Sequence, residues 1–435
     1  MLTIEQIAET TKTSIKSIRR EIAMGSLPSI KQNNRYYVQI SDLSYWQQEQ
    51  EKVDKNNSNS TNFQKSNNTV NWIDISDEML SVDGFHNKEQ IENINFIDLF
   101  AGAGGLSCGL KMAGFNPVES VEIMEQAVAT YNRNFGKNNL PCDIRNENNR
   151  KALIKKTKSK HIHLISGGFP CQGFSLAGHR IVNDERNSLY LEMLKIVEEI
   201  KPDFVLMENV EGLRSMLGGL VEQQIIEDYK NIGYDINVTV LNSADYGVPQ
   251  IRKRVIFIGN RMGKKNLHPK PFLNPDNYKT VADAVARFCD IPENKSINHI
   301  FTKHNKEMTK RLADLPEGQS LYGNYSDAWK KVYWNKPSVT VKENHGGVNV
   351  HPKFPRVMTP RELAALQSFP DDFIFEGSKK WQLVQIGNAV PPLLGKAIGL
   401  AIKKALLGVN EEEIFSQNCP QNFSEQLTFE EILGE

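Results

Sequence analysis

The chain has 435 residues, and its 52 Lys or Arg residues equal its 52 Asp or Glu residues, so no overall charge excess points to nucleic acid. Its five cysteines form no Cys-x-x-Cys or Cys/His ligand pattern, which argues against disulfides and a zinc site and favours a reducing, cytoplasmic location. We find no apolar run of about 18 residues and no signal peptide, so we expect no membrane segment. This length suits two or three domains.

Residues 1–48 are predicted to form a small independent module. Thr3 and Gln6 have the spacing of a capping box at the start of one helix, and Thr13 can cap a second helix. Residues 29–40 are typical of a hairpin, because two asparagines stand between the two short strand-like runs. Two helices followed by a hairpin have the outline of a winged helix-turn-helix.

This module resembles the DNA-binding modules of MerR-type regulators and phage excisionases. The resemblance implies that Lys16, Arg19 and Arg20, on the second predicted helix, contact DNA bases or phosphates. A helical protein-interaction module with a solvated basic face is the alternative.

A linker is predicted over residues 49–92, because Asn, Ser, Lys and Gln dominate its first half. A short helix near Asp77 is the one element expected there. An α/β domain is then predicted, with its first part at residues 93–260. It opens with a buried strand, the glycine-rich residues 101–105 and a helix from Leu106, an order typical of a nucleotide-type pocket.

Acidic residues are expected at the ends of the first three strands of this domain. Asp98 belongs to the first strand, Glu122 follows the second about twenty residues after the glycines, and Asp143 follows later. An acid at the position of Glu122 can accept hydrogen bonds from ribose hydroxyls. Each acid alone is more often a cap or a surface charge, but the three together favour a pocket for an adenosyl group.

Cys171 is the main candidate for chemistry. It follows a short buried strand and Pro170 inside a glycine-rich loop, at the strand end where an open α/β sheet binds ligands. A buried cysteine beside a turn is the alternative. Another strand, over residues 204–207, ends in Glu208 at the same predicted edge. Arg252 and Arg254 are two positions apart in an extended segment just before the strand at residues 255–259, so both are expected on one face of that segment.

Residues 261–353 interrupt the α/β pattern. They contain 16 Lys or Arg against 9 Asp or Glu, with five histidines and interleaved tyrosines and tryptophans. This composition favours a nucleic-acid surface, and a solvated charged insertion is the alternative. Helical residues resume over 354–408, and residues 409–435 are predicted to be a loosely held acidic tail with seven glutamates and no basic residue.

These motifs together resemble one family, the DNA (cytosine-5)-methyltransferases of bacterial restriction–modification systems. The resemblance covers about residues 94–260 and 337–402, and a catalytically inactive relative is the alternative. It rests on five segments in family order: Asp98-Leu99-Phe100-Ala101-Gly102, Gly168-Phe169-Pro170-Cys171-Gln172, Glu208-Asn209-Val210, Gln250-x-Arg252-x-Arg254 and Gln385-x-Gly387-Asn388-x-Val390.

The resemblance implies an S-adenosylmethionine-dependent, Rossmann-like α/β fold with a mixed sheet, whose last helix returns to the glycine turn. Residues 261–353 would hold an inserted target-recognition domain, and residues 354–408 would be the returning part of the catalytic domain. S-adenosyl-L-methionine is the implied cofactor. The residues assigned to it are Asp98, Phe100, Ala101, Gly102, Gly104, Gly105, Leu106, Glu122, Ile123, Asp143, Ile144, Pro170, Asn388, Ala389 and Val390.

Carbon 5 of cytosine is a poor nucleophile, and addition of a thiolate at C6 makes it reactive. The resemblance assigns this addition to Cys171 and a proton donor near N3 to Glu208. Arg252 or Arg254 could supply positive charge for the thiolate, and Arg254 is assigned to the cytosine O2 region. The target base must be flipped out of duplex DNA. Gln172, Ser175 and Gln250 are the predicted DNA contacts of this domain, with residues 172–187 as a lid.

The predicted protein is therefore a monomeric, nucleoid-associated DNA (cytosine-5-)-methyltransferase. Its predicted substrate is double-stranded DNA, and a restriction endonuclease is its functional partner. One rival is a tRNA cytosine-5 methyltransferase on the same fold. The other rival is a regulator whose first module binds an operator, with methylation secondary; both roles could coexist as repression of its own promoter.

Overall fold

The computed structural model of the chain describes residues 1–11, 69–80, 94–170, 188–323, 329–342 and 349–418, with scattered positions between 15 and 43. Contacts divide it into a small unit at the N-terminus and a larger unit that contains most of the remaining residues. Among the described helices, none combines the length and apolar character that a membrane span requires.

The small unit contains one described helix, α1 (Ile4–Thr11), and three short strands, β1 (Leu2–Thr3), β2 (Ile30–Gln32) and β3 (Arg35–Val38), in the antiparallel order β1-β3-β2. The predicted capping box is confirmed. The Thr3 N–H donates to Gln6 Oε1 at 2.9 Å, and the Gln6 N–H donates to Thr3 Oγ1 at 3.3 Å.

The hairpin strands predicted within residues 29–40 are also confirmed. A small apolar core forms between the elements of this unit, and its buried members are Ile4, Ile7, Ile18, Leu27, Val38 and Leu43. Most of the second predicted helix, with Lys16, Arg19 and Arg20, lies outside the described residues.

The strands of the larger unit are β4 (Thr69–Ile73), β5 (Asn95–Leu99), β6 (Asn116–Val121), β7 (Leu164–Gly167), β8 (Phe204–Val210), β9 (Asp235–Asn242), β10 (Lys253–Asn260), β11 (Leu267–Pro269) and β12 (Ile414–Asn418). Six of them form a mixed sheet in the order β6-β5-β7-β8-β10-β9. Strands β6, β5, β7 and β8 are parallel, and β10 pairs antiparallel with both β8 and β9.

The helices of the larger unit are α2 (Ser76–Leu80), α3 (Gly105–Met112), α4 (Glu125–Phe135), α5 (Glu147–Thr157), α6 (Ser188–Ile200), α7 (Leu220–Asn231), α8 (Val281–Val285), α9 (Lys306–Asp314), α10 (Pro360–Leu366), α11 (Lys379–Asn388) and α12 (Pro392–Leu407). The continuous apolar strands of the mixed sheet require cover on their faces, and α3 and α12 share a core with them. The helix predicted near Asp77 is confirmed as α2.

The last helix, α12, crosses the first helix of the sheet, α3, at very short range. A Cβ added at Gly109 would lie 2.3 Å from the carbonyl oxygen of Pro392, and one added at Gly399 would lie 2.8 Å from Ala113 Cβ. Glycine is therefore required for the backbones to approach this closely. The predicted return of the last helix to the glycine turn is present in this packing.

A second, three-stranded sheet corrects two of the sequence predictions. Strand β4 lies inside the predicted linker and β12 inside the predicted loose tail, yet β12 pairs with β4 over five residue pairs, from Ile414↔Ile73 to Asn418↔Thr69. The buried side chains of Ile73 and Ile75 pack into the same core as α12. These segments are short, and their strand character comes from pairing with chain that is distant in sequence.

The inserted region also begins and packs differently from the prediction. Strand β11 lies within residues 261–353 but pairs parallel with β4, so the second sheet continues past residue 261. Val281, Val285 and Phe288 join a second apolar core with Leu366 and Phe369 of the returning segment. Sequence composition did not indicate this shared core, because the two segments that form it are separated by about 80 residues of sequence.

Candidate active site

The C-terminal ends of β6, β5, β7 and β8 meet at one edge of the central sheet, because these strands are parallel neighbours. Phe100 is the first residue after β5, Glu122 the first after β6 and Gly168 the first after β7, while Glu208 lies near the end of β8. The segments that the sequence analysis singled out therefore reach a common edge.

The glycine turn between β5 and α3 (residues 100–104) has a left-handed backbone at three positions, a conformation that favours glycine. Phe100, Gly102 and Gly104 have φ angles of 57°, 54° and 93°. A Cβ added at Gly102 would meet nothing within 4 Å, whereas one added at Gly105 would lie 2.3 Å from the carbonyl oxygen of Val390. The turn is thus open on the Gly102 side. On the other side it is closed by the returning part of the catalytic domain, residues 354–408, called the return segment below.

Glu122 is the acid that contacts the glycine turn. Its Oε2 accepts the N–H of Gly102 at 2.9 Å, and its Oε1 accepts the N–H groups of Ile123 and Met124, each at 2.8 Å. Three backbone donors therefore orient this carboxylate at the end of β6. Ile123 beside it is 57% exposed, so an apolar surface adjoins the carboxylate.

Asp143 follows the next segment and is half-buried. Hydrogen bonds from the Arg145 side chain hold the pKa of Asp143 below its ordinary value. Ile144 beside it is buried. A carboxylate that stays ionised is a constant hydrogen-bond acceptor at this position.

Asp98 does not face the edge, and the prediction that its carboxylate belongs directly to an adenosyl pocket is wrong. The residue is 1% exposed, and its two carboxyl oxygens accept the hydroxyls of Ser107 at 2.6 Å and Ser166 at 2.7 Å. Burial raises the pKa of Asp98 to about 6. The strand pattern predicted its burial, but the two serines lie far away in sequence and could not be identified.

Glu208 and Arg254 form the charged centre of this edge. Arg254 Nε lies 2.8 Å from Glu208 Oε1, and both side chains are largely buried. A Cβ added at Gly168 would lie 3.1 Å from Glu208 Oε2, so the carboxylate lies directly against the start of the Cys171 loop. Asn209 Nδ2 donates to the carbonyl oxygen of Phe169 at 2.8 Å and fastens the same loop.

Arg252 lies within electrostatic range of Glu208 and Arg254 but hydrogen-bonds other groups, and its catalytic role stays a prediction. Its guanidinium is buried and donates to the carbonyl oxygens of Val341 at 2.9 Å, Gly387 at 3.1 Å and Ala389 at 3.0 Å. Burial lowers the pKa of Arg252 well below its ordinary value. Arg252 therefore ties β10 to the return segment, as a positioning residue.

Gln250 is likewise buried, so its predicted DNA contact is wrong. Its Nε2 donates to Gln367 Oε1 at 2.8 Å, and its Oε1 accepts the N–H of Val341 at 2.7 Å. Gln367 in turn donates to the carbonyl oxygen of Ile386 at 2.7 Å. Sequence reasoning missed Gln367, because a single amide at the end of a helix carries no local signal.

The return segment brings Asn388, Ala389 and Val390 beside the glycine turn, and Asn388 is exposed while the other two are buried. Pro170 is exposed at the end of the described part of its loop. Cys171, Gln172 and Ser175 lie outside the described residues.

The opposite edge of the sheet carries a cluster of possible metal ligands, His161, His163 and Asp203. His161 Nε2 lies 2.7 Å from Asp203 Oδ2. His163 Nδ1, however, accepts the N–H of Asn95 at 3.0 Å, so the neutral ring carries its proton on Nε2. A metal-binding histidine normally donates its second ring N–H instead, so the cluster does not have the arrangement of a metal site.

A mixed sheet with a glycine turn after its first strand, and a last helix packed on the first, defines the fold class of S-adenosylmethionine-dependent methyltransferases. Residues 94–404 match the family described as C-5 cytosine-specific DNA methylases, and the chain belongs to that family. The protein is therefore an enzyme of the DNA (cytosine-5)-methyltransferase class.

Several relatives agree with this assignment. The type II methyltransferase M1.HphI of Haemophilus parahaemolyticus is 37% identical over 327 residues, which cover 72% of this chain and 87% of the relative. M.DdeI of Desulfomicrobium norvegicum is 33% identical over 376 residues, which cover 73% of this chain and 90% of the relative.

Solved structures share the fold. A protein encoded in an Escherichia coli prophage, described as a DNA modification methyltransferase, is 29% identical, has a TM-score of 0.60 and covers 73% of this chain with 100% of its own. The methyltransferase EhMeth of Entamoeba histolytica is 18% identical with a TM-score of 0.54 over 72% of this chain and 99% of its own, a likeness of fold alone.

Proposed function

We propose that this enzyme transfers a methyl group from S-adenosylmethionine to carbon 5 of a cytosine within a specific duplex DNA sequence. The observation that carries the proposal is the Glu208–Arg254 ion pair against Gly168, at the start of the Cys171 loop. An acid and a cation beside the start of a segment that carries a cysteine supply the kinds of group that nucleophilic addition to a pyrimidine ring needs.

The residues around the glycine turn fit the proposed cofactor. Gly102 faces open space, so the backbone there can be approached closely by a ligand. The Glu122 carboxylate is held by backbone donors in an orientation suited to ribose hydroxyls, and Asp143 can accept from an adenine amino group. Phe100 and Ile123 supply apolar surface for the adenine ring. When bound, S-adenosylmethionine supplies the electrophilic methyl group.

The chain's own residues then have separate tasks. The Cys171 thiolate adds to C6 of the cytosine, and Glu208 supplies a proton at the N3 side of the ring. After methyl transfer, water or hydroxide removes the C5 proton, and the C6–sulfur bond breaks to release the Cys171 thiolate. Arg254, which orients Glu208 at 2.8 Å, is within reach of the O2 side of a base that Glu208 contacts. Arg252 and Gln250 hold the return segment behind these groups.

A cytosine cannot reach these groups while it is stacked in a duplex, so the proposal includes base flipping at a cost of a few kcal/mol. The excess of basic residues within 261–353 supports DNA contact by the inserted region. Among the described residues of that region, the cation–π pairs Lys353–Trp334 and Lys336–Tyr333 place charge and aromatic rings together.

Transfer of a labelled methyl group to duplex DNA and to tRNA tests the substrate class. We expect incorporation into duplex DNA only, and bisulfite sequencing of DNA from expressing cells should identify one methylated sequence. Cys171→Ser should abolish transfer, while Cys289→Ser, at a half-buried cysteine away from this edge, should not. Normal transfer by Cys171→Ser, or preferential transfer to tRNA, would contradict the proposal.

We further propose that the enzyme is the modification half of a restriction–modification system, as the type II names of its relatives suggest. Its DNA should then resist a restriction endonuclease of the same sequence specificity. If all endonucleases that recognise the methylated sequence still cleaved it, this assignment would be overturned.

We also propose that the N-terminal unit is a winged helix-turn-helix that binds operator DNA and represses the enzyme's own promoter. The capping box of α1 and the β2–β3 hairpin on a shared apolar core support this arrangement. Deletion of residues 1–48 should abolish binding to promoter DNA and leave methylation largely intact. Loss of both activities together would contradict two separable roles.

A further inference from the structure

A chain of buried hydroxyl groups lies beneath the glycine turn. Asp98 Oδ2 accepts the Ser107 hydroxyl at 2.6 Å, Asp98 Oδ1 accepts the Ser166 hydroxyl at 2.7 Å, and Ser107 Oγ lies 3.0 Å from the Tyr131 hydroxyl. All four residues are buried. They come from β5, α3, β7 and α4, so the chain joins four elements behind the turn.

Atom counting links the direction of these hydrogen bonds to the charge of Asp98. A serine hydroxyl has one hydrogen, and an ionised carboxylate only accepts. With Asp98 ionised, Ser107 donates its hydrogen to Asp98, so Tyr131 must donate to Ser107. With Asp98 protonated, its hydroxyl can donate to Ser107, which then donates to Tyr131. In both states the Asp98 side chain holds Ser107, and Ser107 holds the Tyr131 hydroxyl.

Tyr131 connects this chain to the shape of the turn. A Cβ added at Gly104 would lie 2.9 Å from Tyr131 Cδ2 and 2.6 Å from Phe135 Cε2, so both rings lie directly against the Gly104 backbone. The two rings are stacked, with centroids 4.2 Å apart. The hydrogen bond to Ser107 fixes Tyr131, and Tyr131 supports the left-handed backbone of Gly104 from behind.

The charge on Asp98 opposes stability. Burial is the largest cause that raises its pKa to about 6, the two serines oppose the shift, and Glu122 at the end of β6 adds to it. The other titratable group that faces it is Tyr131, whose pKa is itself raised by burial and by Asp98. An apolar side chain of similar size would fill the same space without this cost, so packing alone does not explain a hydrogen-bond acceptor here.

We propose that Asp98, acting through Ser107 and Tyr131, is a positioning residue that holds the glycine turn in the shape that binds the adenosyl cofactor. This role rests on the proposed function. It is distinct from direct cofactor contact, because Asp98 is buried behind the turn.

Equilibrium binding of S-adenosylhomocysteine to the full-length protein tests this role without catalysis. Tyr131→Phe keeps the ring and removes only the hydroxyl, and Ser107→Ala removes the connection. Each should weaken binding about three- to tenfold, and the double variant should be no weaker than Ser107→Ala alone. Tyr229→Phe is the matched control, because its buried hydroxyl has no hydrogen-bond partner among the described residues.

Asp98→Ala and Asp98→Asn separate positioning from simple structural support. Asp98→Ala removes the acceptor of Ser107 and should weaken S-adenosylhomocysteine binding about three- to tenfold. In Asp98→Asn the side-chain amide can donate to Ser166, whose hydroxyl can turn to the Ile97 carbonyl oxygen at 3.5 Å, while the side-chain oxygen still accepts from Ser107. Binding by Asp98→Asn should therefore stay close to that of the unmodified protein.

Three results would overturn the proposal in different ways. Equal dissociation constants for the unmodified protein, Tyr131→Phe and Ser107→Ala would refute the positioning role alone. No measurable binding to the unmodified protein would refute the cofactor assignment, and the positioning role with it. A lower unfolding temperature for Asp98→Ala with unchanged binding would show that Asp98 is structural only.

Discussion

The Nε atom of Arg254 on β10 lies 2.8 Å from Oε1 of Glu208 on β8, across two neighbouring antiparallel strands. Only 12% and 13% of the two side chains are exposed, so water competes little for either charge. The pair sits where the Cys171 loop begins, because Gly168 lies against the same carboxylate. Each residue therefore fixes the orientation of the other at the proposed substrate site.

Glu208→Gln keeps the size of the side chain and removes its ability to take up and donate a proton. We expect the rate of methyl transfer in a single turnover to fall about 10²- to 10⁴-fold, because a neutral amide cannot supply the proton. Binding of S-adenosylhomocysteine should change less than about twofold. Glu222→Gln is the matched control, since Glu222 pairs with Arg214 in a similarly buried ion pair elsewhere. A near-normal rate for Glu208→Gln would rule out its proposed role.

Arg252→Met should destabilise the fold. It removes three hydrogen bonds to the carbonyl oxygens of Val341, Gly387 and Ala389 and leaves buried acceptors unpaired, so the free energy of unfolding should fall by about 2–5 kcal/mol. Denaturant titration measures this loss. Arg133→Met removes an exposed ion pair with Glu376 and should cost less than about 1 kcal/mol. Equal effects of the two substitutions would contradict the tether assigned to Arg252.

Gly109→Ala should separate α3 from α12. The added Cβ would lie 2.3 Å from the Pro392 carbonyl oxygen, a backbone atom that cannot rotate away, and such overpacking costs about 1–3 kcal/mol. Thermal unfolding measures the effect. Gly212→Ala meets nothing within 4 Å and should be nearly neutral. An unchanged unfolding temperature for Gly109→Ala would show that the two helices can move apart at little cost.

Asp98 should make folding stability depend on pH in an unusual direction. Its pKa rises from the ordinary value of 3.8 to about 6 in the folded protein, so between these values the folded state keeps a proton that the unfolded state has lost. Its contribution to stability therefore falls as pH rises from about 4 to about 6, by up to about 3 kcal/mol.

Urea unfolding of the unmodified protein and of Asp98→Asn across this pH range measures that contribution. The difference between them should change with pH as Asp98 ionises. Asp245, whose pKa burial also raises to about 6, is present in both proteins and cancels in the comparison. Identical pH dependence of the two proteins would mean that Asp98 does not titrate in this range.

Local patterns predicted the elements that have strong local signals. The capping box of Thr3 and Gln6, the parallel strand before the glycine turn and the helix at Asp77 all depend on residues a few positions apart. Strands β4 and β12 were missed, because each is stabilised by the other across more than 340 residues of sequence. The same reason explains why the buried partners of Gln250 and Arg252, which are distant in sequence, were not predicted.

The sequence by itself determined the family, the order of the motifs and the choice of Cys171 and Glu208, because chemically necessary residue types stand at characteristic positions along the chain. Only the tertiary structure decided which of those residues face the common edge and which are buried behind it. The physical reason is that burial and hydrogen bonding depend on neighbours from other elements. The alternation of Arg252 and Arg254 was visible in sequence, but their partners, three backbone carbonyls for one and Glu208 for the other, exist only in the fold.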